Sequence, residues 1–535
     1  MYEPVDFIAT SPSFLDAESG FSLDISGMDL NPDSVRDLLH PQPHTGLSRA
    51  HYAHQEMRRI EAGAIKNPDE NRRVTHFTDR QSYPHSDEYQ AVEAFAEEIR
   101  QNDKIDAVII NGIGGSALGP QLLQFAVNGP YWNELSPESR NGYPRIYFLD
   151  NTDPAGVQDV MAVADPERTI VVSISKSGGT RETRNNLAAL EEIYTQRDVD
   201  FAARAIAVTM PGSKLDAYAE KNGWLQRFPM AESIGGRTSE TNIVGHVPAA
   251  LTGIDFGGFI TGAAYMDELT RSENVSANPA YQLAISWYVA GNGRGDRNMV
   301  VVPYSDRLVL LGKYLQQLVM ESLGKERDLD GAVVHQGLTV YGNKGGTDAH
   351  AYIQQLNDGR DDFFATFIEP LRDAAVYEID PPLTMGDYLH GFKHGLIRAL
   401  RAKKRKVIDL VLPELNTNTL GMLVALYERA VAFYAELINI NAFHQPGVEA
   451  YKKASNDINR INRQLQEWLA TEQAAAQGTC TAEEIAGQLP ETPDIAIVRG
   501  ILDKFAVNNR VFRNHQVVRS LPSGSKEWRY EVTPR

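Results

Sequence analysis

The sequence predicts an α/β protein with two doubly wound, mainly parallel-sheet αβα sandwich domains and a small C-terminal appendage. Short apolar runs alternate with helix-like stretches between about 85 and 245, and a second alternation begins near 279. Continuously apolar strands separated by helices are typical of a parallel sheet covered on both faces. After about residue 478 the composition shifts, and basic residues there nearly balance acidic ones.

The predicted elements divide the chain into four parts. Residues 1–84 form an irregular and helical segment that packs on the core, in which Asn31 or Asp33 caps a helix. Ser86 precedes a helix with apolar residues at helical spacing. The first domain, 85–245, has strands at 107–110, 145–149, 169–174 and 205–208, with helices at 119–127, 154–164 and 180–194.

The second domain is predicted to cover 246–478. Its expected elements are a helix at 280–291, a strand at 298–304, a helix at 308–326, a strand at 362–369 and long helices from about 385 to 469. Residues 479–535 are predicted to contain two helices and two strands. That order fits either a winged-helix-like module or a packing appendage.

Charge and composition exclude several classes of partner. The formal net charge of -18 argues against general binding to nucleic acid or an anionic membrane. No apolar run approaches the ~18 residues that span a bilayer. The single cysteine, Cys480, fits a reducing compartment, and the N-terminus lacks a signal-peptide pattern. We therefore expect a cytoplasmic protein whose anionic ligand, if it has one, binds at a locally positive site.

The loop after the first apolar strand is the first candidate site. Residues 105–120 read IDAVIINGIGGSALGP, with Gly115 and Ser116 between a strand and a helix. Glycines let the backbone approach an anion, and a helix N-terminus offers free N–H groups. The third glycine of the dinucleotide fingerprint is absent because Ala117 stands there, and no Gly-Lys-Ser/Thr follows. For this loop alone, a tight turn without a ligand stays open.

A second loop favours a phosphorylated ligand. Residues 171–183 read VVSISKSGGTRET and again join a strand to a helix. Hydroxyls and a lysine can hold a phosphate by hydrogen bonds and charge. These groups are Ser175, Lys176, Ser177 and Thr180. Two such loops in one sheet predict a small phosphorylated ligand.

Together these loops resemble the sugar isomerase (SIS) type of sugar-phosphate domain. Four later segments narrow the resemblance to the glucose-6-phosphate isomerase family: ESIGGRTSETNIVG at 232–245, QQLVMESLGKE at 316–326, GGTDAHAYIQQL at 345–356 and FHQPGVEAYKK at 443–453. The resemblance runs in order from about 105 to 455. The chain differs from the usual family pattern at Gly179, Thr238 and His444.

The resemblance implies reversible interconversion of glucose 6-phosphate and fructose 6-phosphate through a cis-enediol, in glycolysis and gluconeogenesis. Glu321 matches the base that moves a proton between C2 and C1, and Arg237 matches the arginine facing the enediolate. His350 and Lys452 match residues that assist ring opening. The implied substrate and phosphate ligands are Gly115, Ser116, Ser175, Lys176, Ser177, Thr180, Gln317 and Gln445.

The resemblance also implies a cofactor-free reaction and a homodimer in which the neighbour contributes the histidine. We predict no metal site, because each histidine pair at short spacing has an ordinary structural explanation. His390 and His394 have helical spacing but lack the glutamate of His-Glu-x-x-His. Prolines separate His40 from His44, and the pair His51 and His54 lies in a polar segment.

Two alternatives to this enzyme remain at the level of sequence. One is another phosphosugar aldose–ketose isomerase with relaxed choice at C2. The other is a non-catalytic sugar-phosphate sensor, which needs only the phosphate loops. The joint presence of Glu321, Arg237, His350 and Lys452 favours the enzyme over the sensor.

Overall fold

The computed structural model describes residues 13–40, 48–67, 71–490 and 492–535, and the chain divides into two compact units, 1–444 and 445–535. Across the described residues, no helix has the length and apolar character needed to cross a membrane. The strands are β1 Ser13–Leu15, β2 Ser22–Asp24, β3 Ile65–Asn67, β4 Arg72–Arg73, β5 Ala107–Asn111, β6 Arg145–Leu149, β7 Thr169–Ile174, β8 Ala205–Thr209, β9 Gln226–Pro229, β10 Asn298–Pro303, β11 Lys325–Arg327, β12 Val333–Gln336, β13 Val340–Tyr341, β14 Phe363–Pro370, β15 Glu378–Asp380, β16 Leu383–Thr384, β17 Lys406–Leu412, β18 Val511–Phe512, β19 His515–Ser520 and β20 Arg529–Pro534.

The α-helices are α1 Pro32–Leu39, α2 Arg49–Glu61, α3 His76–Ser82, α4 Asp87–Gln101, α5 Gly115–Leu123, α6 Pro154–Val163, α7 Arg181–Gln196, α8 Lys214–Lys221, α9 Ile243–Ala250, α10 Phe256–Leu269, α11 Pro279–Ala290, α12 Leu311–Leu315, α13 Ile353–Asp358, α14 Met385–Ala402, α15 Thr417–Leu437, α16 Pro446–Leu469, α17 Glu472–Ala476, α18 Ala482–Ala486 and α19 Ile495–Val507. Of the two predicted caps for α1, Asn31 makes the bond: its side chain accepts from the Asp33 N–H. The Ser86 side chain caps α4 as predicted, accepting from the Tyr89 N–H.

The first sheet consists of five parallel strands in the order β6–β5–β7–β8–β9. Both of its faces are covered, since Val108 and Ile110 of β5 join the main core while Ala107 and Ile109 pack in a separate cluster. The strand order reverses between β5 and β7. Ligands bind at such a topological switch point in doubly wound sheets. The two candidate phosphate loops follow these two strands.

The second sheet has the order β1–β2–β17–β14–β10–β13. Four of its strands, β17, β14, β10 and β13, are parallel, and the hairpin of β1 and β2 adds an antiparallel edge beside β17. The α/β fold with two mainly parallel sheets is thereby confirmed. The sequence analysis did not predict the β1–β2 hairpin, because strands of three residues carry almost no periodic signal.

Two predicted helical stretches are wrong in part. The predicted run of helices from 385 to 469 is interrupted by β17, which is buried in the sheet. The stretch 308–326 is split into α12, a π-helical segment Gln316–Glu321 and the start of β11. A short apolar run looks alike in a buried strand and a buried helix, so periodicity alone could not separate them.

The second unit has its own apolar core. In this core, α16 contributes Leu465 and Leu469, which pack with Val498 and Leu502 of α19 and with Val517 of β19. The strands β18, β19 and β20 form an antiparallel sheet. Within its described residues, the appendage thus contains the two predicted helices but three strands instead of the predicted two, because the first predicted strand is a hairpin of β18 and β19. It shares its core with α16. The predicted domain boundaries stay predictions.

Candidate active site

The first phosphate loop meets two other predicted site segments at its glycines. Gly114 has φ +60, and a Cβ on it would lie 2.9 Å from Nε2 of Gln317. A Cβ on Gly115 would lie 1.8 Å from the carbonyl oxygen of Gly236, which a side chain could not tolerate. The glycines therefore let the start of α5 approach both Gln317 and the turn that carries Arg237.

Hydrogen bonds from Thr209 and within the loop fix the second phosphate loop. Thr209 Oγ1 donates to the carbonyl of Ser175 at 2.6 Å. Oγ of Ser175 donates to Oγ1 of Thr180 at 3.3 Å, so the two predicted phosphate ligands lie side by side. Ser175 is buried, Thr180 is half-buried and Ser177 is exposed. The loop thus presents hydroxyls at the N-terminus of α7, where N–H groups favour an anion.

Lys176 connects this loop to the turn that carries Arg237. Its Nζ donates to the carbonyl oxygens of Glu232 at 2.6 Å and Ile234 at 3.0 Å. The lysine therefore brings a positive charge to the switch point and also fixes the segment just before Gly235. Lys176 therefore links the second phosphate loop to the turn of Arg237.

The predicted base and the predicted enediolate-facing arginine are adjacent. Nε of Arg237 lies 3.8 Å from Oε2 of Glu321, and their side chains are 9% and 32% exposed. Glu321 ends the π-helical segment Gln316–Glu321, which also carries Gln317. Such π-helical turns are frequent at functional sites. A half-buried carboxylate beside a buried guanidinium can accept a carbon-bound proton while the cation stabilises the resulting negative charge.

The other predicted site residues belong to different elements. His350 is exposed on the short 3-10 turn Asp348–His350, which follows β13 of the second sheet. Gln445 is the residue before α16 in the second unit, and Lys452 is exposed on that helix. The structure thus brings together the loop groups, Gln317, Arg237 and Glu321 within the first unit.

Comparison with known proteins gives a family. A family model described as phosphoglucose isomerase matches residues 47–380 and 399–476. The glucose-6-phosphate isomerase of Gloeothece citriformis is 44% identical over 512 residues, covering 92% of this chain and 93% of the relative. That of Geobacter sulfurreducens is 45% identical over 515 residues, covering 91% and 92%. The chain belongs to the phosphoglucose isomerase family.

A solved structure of the family agrees with the fold. The glucose-6-phosphate isomerase of Chlamydia trachomatis superposes with a TM-score of 0.75 at 25% identity, covering 94% of each chain. The family and the enzyme class predicted from the sequence are therefore confirmed. The roles of individual residues stay predictions.

Lys325 is a site residue that the sequence analysis missed. This buried lysine donates from Nζ to the carbonyl oxygens of Glu321 at 2.8 Å and Ser322 at 2.7 Å. It therefore closes the C-terminal end of the π-helical segment. Burial, reinforced by the charge of Arg237 and partly opposed by Glu321, lowers the pKa of Lys325 to about 7. Its spacing of four residues from Glu321 was visible, but its burial was not.

Glu240 was also missed, although it lies in the motif of Arg237. It is fully buried, its side chain would meet a Cβ placed on Gly119 at 2.4 Å, and Tyr314 donates a hydrogen bond to it at 2.5 Å. Burial raises the pKa of Glu240 to about 7. Because Tyr314 lies in α12, directly before the π-helical segment, this bond joins the segment of Arg237 to the helix that leads to Glu321.

Arg72 supports the same region from the N-terminal segment. Its guanidinium donates to the carbonyl oxygens of Ser233 at 3.1 Å and Phe443 at 3.0 Å. A cavity beside it is also lined by Arg237, Ser322 and Glu428. Arg72 therefore fixes two segments, one leading to Arg237 and one leading to Gln445. No local signal marked it, since its partners are carbonyl groups distant in the chain.

Proposed function

We propose that this chain interconverts glucose 6-phosphate and fructose 6-phosphate by proton transfer through a cis-enediol. The observation that carries the proposal is the pairing of Arg237 with Glu321 beside two hydroxyl-bearing loops at a topological switch point. Family membership supports the same reaction.

The loops bind the phosphate group of the sugar. The helices α5 and α7 begin directly after the two loops, so their first N–H groups are available to an anion there. The hydroxyls of Ser116, Ser175, Ser177 and Thr180 add donors. Lys176 supplies a full positive charge. In a chain with a net charge of -18, this local charge is what allows an anion to bind.

Glu321 performs the carbon chemistry. Its carboxylate removes the proton from C2 of the open-chain aldose, and the electron pair of that C–H bond forms the C1–C2 double bond of the enediolate. Arg237 stabilises the negative charge that develops on oxygen. The hydroxyl proton then moves from O2 to O1, and the same carboxyl group returns the first proton to C1, which leaves the carbonyl at C2. Gln317 and Gln445 bind sugar hydroxyls.

Ring opening is assigned to His350 and Lys452, which exchange a proton between the ring oxygen and the hydroxyl on C1. We assign His350 to the active site of a neighbouring subunit, so that the enzyme is a homodimer. His350 is exposed in the single chain, which suits such a role. Exposed apolar side chains near α14 also favour an interface. They are Leu371, Val376, Tyr377, Ile379, Leu383, Met385 and Phe392.

A coupled assay tests the function directly. Purified enzyme is given fructose 6-phosphate, and glucose 6-phosphate formation is followed with a dehydrogenase, with and without EDTA. We expect turnover in both conditions. Binding without turnover would instead indicate a sensor, and equal turnover of mannose 6-phosphate would indicate a broader phosphosugar isomerase. Sedimentation of the same sample measures the subunit number.

A further inference from the structure

A cluster of metal-ligating side chains lies at the carboxyl end of β14, among residues that the proposed reaction does not use. It consists of Glu369 from the strand and of His390 and His394 from α14. The three side chains offer ligand atoms that all lie within 4.8 Å of one another. The sequence analysis predicted no metal here because the histidine motif lacks its glutamate, but a glutamate comes from a strand about twenty residues earlier.

We propose that Glu369, His390 and His394 form a binding site for a divalent transition-metal ion such as Zn²⁺. Two imidazoles and one carboxylate, with a fourth position left to water, are a ligand set that zinc accepts. Ligands at Zn²⁺ distances are about 3.4 Å apart in a tetrahedron, so the side chains need to move by little more than 1 Å. Mg²⁺ and Ca²⁺ prefer oxygen ligands and suit this set poorly.

The histidines are arranged to act as a pair. One turn of α14 separates them, and their ring centroids are 4.3 Å apart. Nδ1 of His390 lies 2.9 Å from Oε1 of Glu369. The two imidazoles and the carboxylate therefore share one small volume, in which a single ion can contact all three.

Lys393 orients the carboxylate and sets the charge of the site. Its buried Nζ lies 2.6 Å from Oε2 of Glu369 and 2.9 Å from Oδ1 of Asp409. The ammonium thus holds one oxygen of Glu369 and leaves the other facing the histidines. One ammonium between two carboxylates leaves a net charge of about -1, which favours a dication. Outer partners of this kind commonly fix the ligands of metal sites.

A metal at this site would link α14 to the sheet. Glu369 lies in β14, which pairs with β10 and β17, whereas the histidines lie at exposed positions of α14. A shared ion therefore joins the helix to a central strand. Because the ion binds only the folded arrangement, it raises the melting temperature, and the rise grows with the logarithm of the ratio of free ion concentration to dissociation constant.

Calorimetric titration of the full chain with Zn²⁺, after EDTA treatment and desalting, tests the proposal. We expect one strong site per chain, and His394→Gln should weaken it at least about tenfold. The matched control is His51→Gln, which removes a histidine bonded to Gln55 in α2 and should leave the titration unchanged. When Co²⁺ replaces Zn²⁺, its visible absorption reports whether the bound ion has nitrogen ligands and a low coordination number.

The double variant His390→Gln/His394→Gln decides the outcome. If it binds Zn²⁺ with the stoichiometry and affinity of the wild type, or if the wild type binds none at millimolar Zn²⁺, the proposal is wrong. Both histidines are exposed, so the variant is expected to fold, and circular dichroism checks this. Zn²⁺ should raise the melting temperature of the wild type and not that of the double variant.

Discussion

Nε of Arg237 lies 3.8 Å from Oε2 of Glu321, although the first lies in a 3-10 turn, the second ends a π-helical segment, and more than eighty positions separate them in the chain. This contact places a buried cation beside the carboxylate that we assign to carbon proton transfer. The glycine contacts of the first phosphate loop bring the phosphate site next to the same pair. Each of the following predictions tests one part of this arrangement.

Glu321→Gln keeps the side-chain shape but removes the base. We expect kcat for glucose 6-phosphate to fall by about 10²–10⁴-fold or more, because no other carboxylate is assigned to the step. The measurement is the coupled assay at saturating substrate. Full activity in this variant would contradict the proposed mechanism.

His350→Ala should be selective for cyclic substrates, since His350 is assigned to ring opening. A four-carbon aldose phosphate cannot close its ring, because the phosphate occupies the hydroxyl it would use. With that substrate, His350→Ala should lose much less activity than with glucose 6-phosphate, whereas Glu321→Gln should lose a similar factor with both. The comparison is between ratios of kcat/KM. If both variants lose the same factor with both substrates, His350 and Glu321 do not act on different steps.

Ser175→Ala/Thr180→Ala should raise KM for glucose 6-phosphate strongly. Each lost hydrogen bond to a charged group is worth ~1.5–3 kcal/mol, so each substitution costs roughly tenfold or more in binding. Thr195→Ala is the matched control, because this exposed threonine lies near the C-terminal end of α7, the helix that follows the loop, and its hydroxyl donates to the Glu191 carbonyl. An unchanged KM in the double variant would exclude this loop from the phosphate site.

Lys325→Met should change the pH dependence of both activity and stability. Because the pKa of Lys325 is lowered to about 7, the folded wild type holds fewer protons than the unfolded chain between about pH 7 and its ordinary value of 10.5. The free energy of unfolding of the wild type therefore increases relative to that of the variant as pH rises through that window. Urea unfolding at pH 7 and pH 9.5 measures the gain.

The activity profile separates positioning from a purely structural role for Lys325. The wild-type plot of log kcat/KM against pH should contain an ionisation near 7 that Lys325→Met lacks, because this ammonium contacts the backbone of Glu321. Lys313→Met, at an exposed position in α12, should keep the wild-type profile. If both profiles keep the same ionisation, Lys325 does not act on Glu321.

Glu240→Gln should stabilise the protein above neutral pH. Burial raises the pKa of Glu240 to about 7, so the folded state holds a proton that the unfolded state releases near its ordinary value of 4.5. Wild-type stability therefore falls as pH rises from about 4.5 to 7, and the glutamine avoids this loss. The difference should be on the order of 3 kcal/mol at pH 8 and small at pH 4.5.

The measurement for Glu240 is urea unfolding at pH 5 and pH 8. Glutamine can still accept the hydrogen bond from Tyr314, so the contact with α12 is kept. Glu98→Gln, at an exposed position in α4, serves as the control and should be neutral at both values. A pH-independent difference for Glu240→Gln would show that its carboxyl group does not titrate in this range.

The sequence by itself determined the family, the α/β class and most of the proposed substrate ligands. These depend on local patterns: glycines that allow a turn, hydroxyls and a lysine at loop positions, and apolar runs at strand spacing. The loops of Gly115 and Ser175 could therefore be recognised, and the structure places both at the switch point of one sheet.

Only the tertiary structure decided which groups support these ligands. Lys325, Arg72 and Lys176 bind backbone carbonyls, and a carbonyl group has no sequence signature. Glu369 contacts His390 only because β14 and α14 pack together. The sequence analysis missed β17 because a buried strand and a buried helix share the same apolar composition. Contacts between segments distant in the chain depend on packing, which local periodicity does not encode.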